Sequence, residues 1–111
     1  MIEPKKTRRQ MLEEFVAQKP DDAFSRYALA MECMNSGDSA AANDHFLTLL
    51  QRSADYVPAY LMYAQMLSRE SRNQEARQVL VTGIAAALRK GEQHAQSEME
   101  SLLNDLRSLS H

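Results

Sequence analysis

The sequence has few residues that interrupt helices. Three glycines and three prolines are spread over 111 residues, against seven methionines and many Ala, Leu, Glu, Gln and Arg. That balance favours helix and is poor in strand formers, so the composition predicts an all-α chain. A single cysteine, Cys33, excludes an internal disulfide. Because no cluster of cations surrounds it, it reads as a small buried hydrophobe rather than a reactive thiol. A formal charge of -2 lacks the positive surplus that broad binding to nucleic acid or anionic lipid requires. No apolar run approaches the length that spans a bilayer, and the opening MIEPKKTRRQ puts charges where a secretory leader would need apolar residues. The expectation is a cytoplasmic protein that binds neither nucleic acid nor membrane. No glycine-rich phosphate loop, no nucleophile flanked by a base and no supported pair of acids is present, so no enzyme and no cofactor is expected.

What the chain does contain is a period. Segments 23–56 and 57–90 fall into register at 34 residues. Matching phases carry Leu29 with Tyr63, Ala30 with Ala64, Cys33 with Leu67, Ala42 with Ala76, Phe46 with Leu80 and Leu50 with Ile84. A period of this length marks a helical array. One domain accounts for the whole length, and each helix must contribute to its core.

Local signals place six helices. The first is expected over 5–18, with Met11, Leu12, Phe15 and Val16 as an apolar stripe, and ends at Pro20. Asp21 and Asp22 suit the start of the next helix, 24–35. Gly37 permits a tight turn, and Asp38 or Ser39 caps a helix over 40–51. Pro58 fits the first turn of a helix running to Arg69. A polar connection over 70–73 leads into a helix over 74–89, broken at Gly91. The closing helix, 92–109, carries Ala95, Met99, Leu102, Leu103, Leu106 and Leu109 as a stripe wide enough to seal the end of a stack. Two helical pairs alone would leave an apolar face open at each end, so the flanking helices read as caps.

Both periods resemble the tetratricopeptide repeat (TPR). Counting Ala23 and Val57 as phase one, the small phases eight and twenty are Ala30 and Ala64, and Ala42 and Ala76. Pro20 holds the phase of the family's repeat-ending proline, which makes Met11 to Gln18 the second helix of a truncated earlier repeat. Four positions depart from the pattern: Arg26 stands for the aromatic that Tyr60 keeps, Ala54 for the proline, Ser71 for the turn glycine and Leu49 for a small residue. The tail KGEQHAQSEM is similar to the ending of small stand-alone bacterial TPR proteins. The resemblance implies a right-handed α-solenoid: a partial repeat or capping helix over 5–20, repeats over 23–56 and 57–90, and a closing helix over 92–109.

It also implies where binding occurs. In the family the first helix of each repeat lines the inner, concave surface. The phases concerned carry Phe24, Tyr27, Ala28, Met31, Met34 and Asn35 in repeat one, and Pro58, Leu61, Met62, Gln65, Ser68 and Arg69 in repeat two. Methionine is soft and suits varied apolar ligands. The implied function is a non-catalytic adaptor that takes a short peptide or helix of a partner protein on Phe24, Tyr27, Met31, Met34, Leu61, Met62, Gln65 and Arg69. The alternative is a self-associating module, a homodimer for instance, with no heterologous ligand. A third possibility is that the closing helix covers these residues. A clamp for a terminal carboxylate is disfavoured, because its phases hold Tyr27, Met31 and Met62.

Other candidates carry less. His94 and Glu98 share a helix face at metal-ligand spacing, but His45 and His111 are remote in sequence, so a solvated polar pair is expected and no metal. Lys5, Lys6, Arg8 and Arg9 are followed within about a turn by Glu13 and Glu14, which reads as a solvated helix face.

Overall fold

The computed structural model describes residues 5–109, and within them the chain is all-α: α1 (Arg8–Gln18), α2 (Ala23–Asn35), α3 (Ser39–Arg52), α4 (Val57–Arg69), α5 (Asn73–Lys90) and α6 (Gln93–Ser108). The internal contacts fall into two compact units, one ending at Arg52 and the other beginning at Ser53.

In the first unit, α2 packs on both α1 and α3. The α1 helix starts three residues later than the sequence suggests, because Thr7 takes the N-cap. Its hydroxyl accepts from the Gln10 amide at 3.1 Å while the Gln10 side chain accepts from the Thr7 amide at 2.9 Å. This reciprocal box satisfies two orphan donors and leaves Lys5 and Lys6 outside the helix. Asp22 caps α2, accepting from the amide and the hydroxyl of Ser25. Asp38 caps α3, accepting from the Ala41 amide at 3.2 Å. The core is Val16, Leu29, Ala30, Cys33, Ala42, Phe46 and Leu49, all buried. Each large member contributes roughly 1.5–3 kcal/mol on leaving water.

The second unit packs α4 on α5, with α6 against both. Tyr60, Tyr63, Leu67, Leu80, Met99, Leu103 and Leu106 form its centre. The α4–α5 approach is tight at Gly83, where an added Cβ would lie 2.5 Å from the Tyr60 Cβ and 2.7 Å from the Met99 sulfur. The closing helix buries Met99, Leu103 and Leu106 but leaves Ala95 and Leu102 half-buried and Leu109 exposed. Its apolar stripe is thus narrower than the six residues the sequence suggests.

The turn after each repeat's first helix needs a left-handed residue. Gly37 supplies it at φ 85°, and Ser71, one period later, supplies it at φ 61°. Of the six residue pairs that define the period, five are buried in both copies, while Leu50 and Ile84 are half-buried.

Candidate functional site

The inner-phase residues of α2 form one groove. Phe24, Tyr27, Ala28 and Met31 line it together with Arg8 and Glu32, in a volume of about 360 Å³. Phe24 is 68% exposed, and Tyr27, Met31 and Met34 are half-buried. Burial raises the Tyr27 phenol above its ordinary pKa. Arg8 reaches from α1 to the Glu32 carboxylate at 3.2 Å, so an ion pair borders the groove, and Asn35 adds a further polar side chain to its lining. Met34 belongs to the same helix but does not line this groove.

In the second unit, Leu61, Met62 and Gln65 are half-buried on α4 and Arg69 is exposed. The Arg69 Nε donates to the Gln65 carbonyl at 3.4 Å. Although α6 packs on α4, it buries none of these four side chains.

A second groove lies on the first unit, and the sequence reading missed it. Met11, Leu12 and Phe15 of α1 face Phe24, Ser25 and Ala28 of α2 around about 420 Å³. The stripe assigned to the core is thus divided. Val16 is buried and Leu12 half-buried, whereas Met11 and Phe15 are exposed. Among the described helices only α2 packs on α1, so part of the stripe stays uncovered. Lys19 Nζ stands 5.7 Å from the centre of the Phe15 ring, a cation–π contact at the rim.

Behind these grooves a charged cluster ties α1 to the start of α3. Arg9 Nη1 donates to Asp38 Oδ2 at 2.9 Å, and Arg9 Nε lies 3.5 Å from Glu13. The Ala41 amide and the Arg9 guanidinium together hold the Asp38 carboxyl below its usual range. Cys33 is buried, and burial pushes its thiol up. Lys6 pairs with Glu14 at 2.7 Å, so the basic run at the start meets local carboxylates. His94 and Glu98 form an exposed pair at 3.0 Å. Among the described residues no group of three or more His, Cys, Asp or Glu could hold a metal, and no helix is long and apolar enough to cross a membrane. His111 lies outside the described residues.

Comparison with known proteins agrees with this geometry. A family model for the tetratricopeptide repeat matches residues 4–59. A TPR repeat-containing protein of Pseudomonas aeruginosa is 25% identical over 95 residues, covering 86% of this chain and 90% of its own length. Among solved structures, a tetratricopeptide repeat domain protein from Salinibacter ruber superposes with a TM-score of 0.79 at 30% identity, over 84% of this chain and 94% of that one. A protein from Bordetella parapertussis superposes with a TM-score of 0.78 at 25% identity, over 94% of this chain and 90% of that one. These likenesses fit the helical-repeat solenoid class.

Proposed function

Since the chain belongs to the tetratricopeptide-repeat family, whose fold is in general a protein–protein interaction module and generally non-catalytic, we propose that it is a small adaptor. It takes a short amphipathic helix or extended peptide of a partner protein along the inner phases of its repeats. The observation that carries this reading is the α2 groove: Phe24, Tyr27 and Met31 line it, and none of them is buried. Apolar side chains set beside an Arg8–Glu32 pair and Asn35 suit a ligand with both apolar and polar positions. Leu61, Met62, Gln65 and Arg69 offer a second, more polar set on α4. The bacterial relatives support reading this as a bacterial protein, and a cytoplasmic adaptor is the form we favour.

The test is affinity capture from the native cell with the wild-type chain and with Met31→Glu, read by mass spectrometry and followed by calorimetry on the captured partner. The reading requires a partner that binds wild type and loses at least tenfold in affinity to Met31→Glu while helicity is unchanged. A partner that binds both chains equally would place the site elsewhere. Self-association abolished by Met31→Glu, with no partner captured, would favour the self-associating module.

A further inference from the structure

The two grooves of the first unit are one surface. Arg8, Phe24 and Ala28 line both, so the Phe24 ring, 68% exposed, is a wall common to the pair, and the small Ala28, one turn further along α2, keeps both open beside it. On one side lie Met11, Leu12 and Phe15 around about 420 Å³; on the other lie Tyr27 and Met31 around about 360 Å³. A ligand that fills this surface must therefore present two bulky apolar side chains and straddle one aromatic ring. Side chains three or four residues apart on a helix stand about 5–6 Å from each other at their Cβ atoms and diverge outward, which suits them to opposite faces of such a ring.

The polar side chains of the lining are largely engaged with one another. Arg8 and Glu32 hold each other at 3.2 Å, and Asp22 accepts from the amide and the hydroxyl of Ser25. An extended ligand would lay its N–H and C=O groups against a lining with few partners to offer, whereas a helix bonds its own backbone internally. The charge at the rim has a sign as well. Lys19 holds its Nζ 5.7 Å from the centre of the Phe15 ring, and the two acids that follow it are committed elsewhere, Asp21 to Arg52 at 2.7 Å and Asp22 to the cap of α2. Residues 5–19 carry Lys5, Lys6, Arg8, Arg9 and Lys19 against Glu13 and Glu14, five cations less two acids, a net +3. An acid on a ligand is attracted there and a cation repelled.

We infer that the partner segment is an amphipathic helix with bulky apolar residues three or four apart, one on each side of Phe24, and an Asp or Glu on the flank that meets Lys19. This rests on the peptide-binding reading and narrows it: the inner-phase residues Tyr27 and Met31 take one anchor, and Met11 and Phe15 of α1 take the other. Phe24 then sets the spacing of the anchors, and Lys19 sets the sign of the charge beside them.

Fluorescence anisotropy on the full chain tests it with a stapled helical peptide that carries two leucines four residues apart and glutamates on one flank, and with the same peptide carrying lysines there. Wild type is expected to bind the glutamate peptide more tightly by about threefold, a preference lost in high salt and reversed in Lys19→Glu. Phe15→Ala is expected to weaken the glutamate peptide by about tenfold. Changing the leucine nearer the glutamates to alanine should cost the same and, combined with Phe15→Ala, no more, because both remove one contact. Both Phe15 and Lys19 are exposed, and circular dichroism reports whether each variant keeps its helicity; Met11→Ala replaces Phe15→Ala if it does not. A wild type that binds neither peptide, that binds both equally, or in which the two losses add overturns the inference. The adaptor reading is separate from these results, since it stands or falls on the captured partner and Met31→Glu.

Discussion

Arg26 and Tyr60, one period apart, send unlike side chains to equivalent carbonyls. Arg26 Nη2 donates to the Pro20 carbonyl at 3.2 Å, and the Tyr60 hydroxyl donates to the Ala54 carbonyl at 2.6 Å. Pro20 and Ala54 are themselves one period apart. In sequence Arg26 and Ala54 are two departures from the repeat pattern, but in structure they preserve one contact, which fastens the turn before each repeat to its first helix. Asp21 and Asp55, again one period apart, add ion pairs to Arg52 at 2.7 Å and to Arg89 at 3.0 Å.

The Tyr60 bond is part-buried and the Arg26 bond exposed. Tyr60→Phe is therefore expected to cost about 0.5–1.5 kcal/mol, the net worth of one such bond. Arg26→Met should cost less, because water replaces the lost donor at Pro20. Urea unfolding of both variants, with unchanged slopes, checks the order; the reverse order would mean that the two carbonyls are not equivalent.

How much of this was legible follows from which physics acts locally. The period, the six helices, the cap at Asp22, Pro58 in the first turn of α4 and the break at Gly91 are local signals, and the structure reproduces them. The start of α1 shifted because the Thr7–Gln10 box outcompetes the helix propensity of Lys5 and Lys6. The exposure of Met11 and Phe15 was not legible, because hydrophobic spacing says which face of a helix is apolar and not whether a neighbour exists to cover it, whereas Phe24 was already placed on the open inner surface by the resemblance. The close approach at Gly83 left only a faint signal. Its traces are a lone glycine in a helical pattern and the repeat pattern's small residue at that phase, which Leu49 replaces one period earlier.

Ser71 is expected to be a stored cost. A non-glycine residue at φ 61° gives up roughly 1–2 kcal/mol relative to its preferred regions, and glycine recovers most of that against a larger chain entropy loss. Ser71→Gly should thus stabilise the chain by about 0.5–1 kcal/mol. Gly37→Ala should destabilise it by about 1–2 kcal/mol through conformation alone, since an added Cβ there meets nothing within 4 Å. Thermal unfolding of the two variants is the measurement, and the shifts must have opposite signs.

His45 gives the stability a pH dependence with a definite sign. Burial first, and the nearby Arg26 second, depress its pKa below the ordinary histidine value, and Glu13, Arg9 and Asp44 also act on it. The unfolded chain therefore binds the proton more readily than the folded one. The stability associated with neutral His45 is complete above the unfolded value, about 6.5, and is lost as pH falls through the depressed folded value. Urea midpoints measured between neutral pH and pH ~5 should fall for wild type and flatten for His45→Gln over the same window. Asp38, also depressed, adds a separate loss in a more acidic range, below the ordinary carboxylate value, and Asp38→Asn should flatten that limb instead.

Gly83→Ala sets two effects against each other. In an open helix the change would gain about 0.8–1.0 kcal/mol from propensity. Here the new methyl would lie 2.5 Å from the Tyr60 Cβ and 2.8 Å from its Cγ, with the Met99 sulfur at 2.7 Å. Methionine can swing aside, but a Cβ moves only with its helix, so α4 and α5 must separate. Overpacking of that kind costs typically about 1–3 kcal/mol, which outweighs the propensity gain. Gly83→Ala is expected to be net destabilising, and the penalty should persist undiminished in a Tyr60→Phe background, because phenylalanine keeps both offending carbons. A calorimetric melting temperature for Gly83→Ala at or above wild type would show that the two helices are free to spread and that contact with the tyrosine backbone side does not set their spacing.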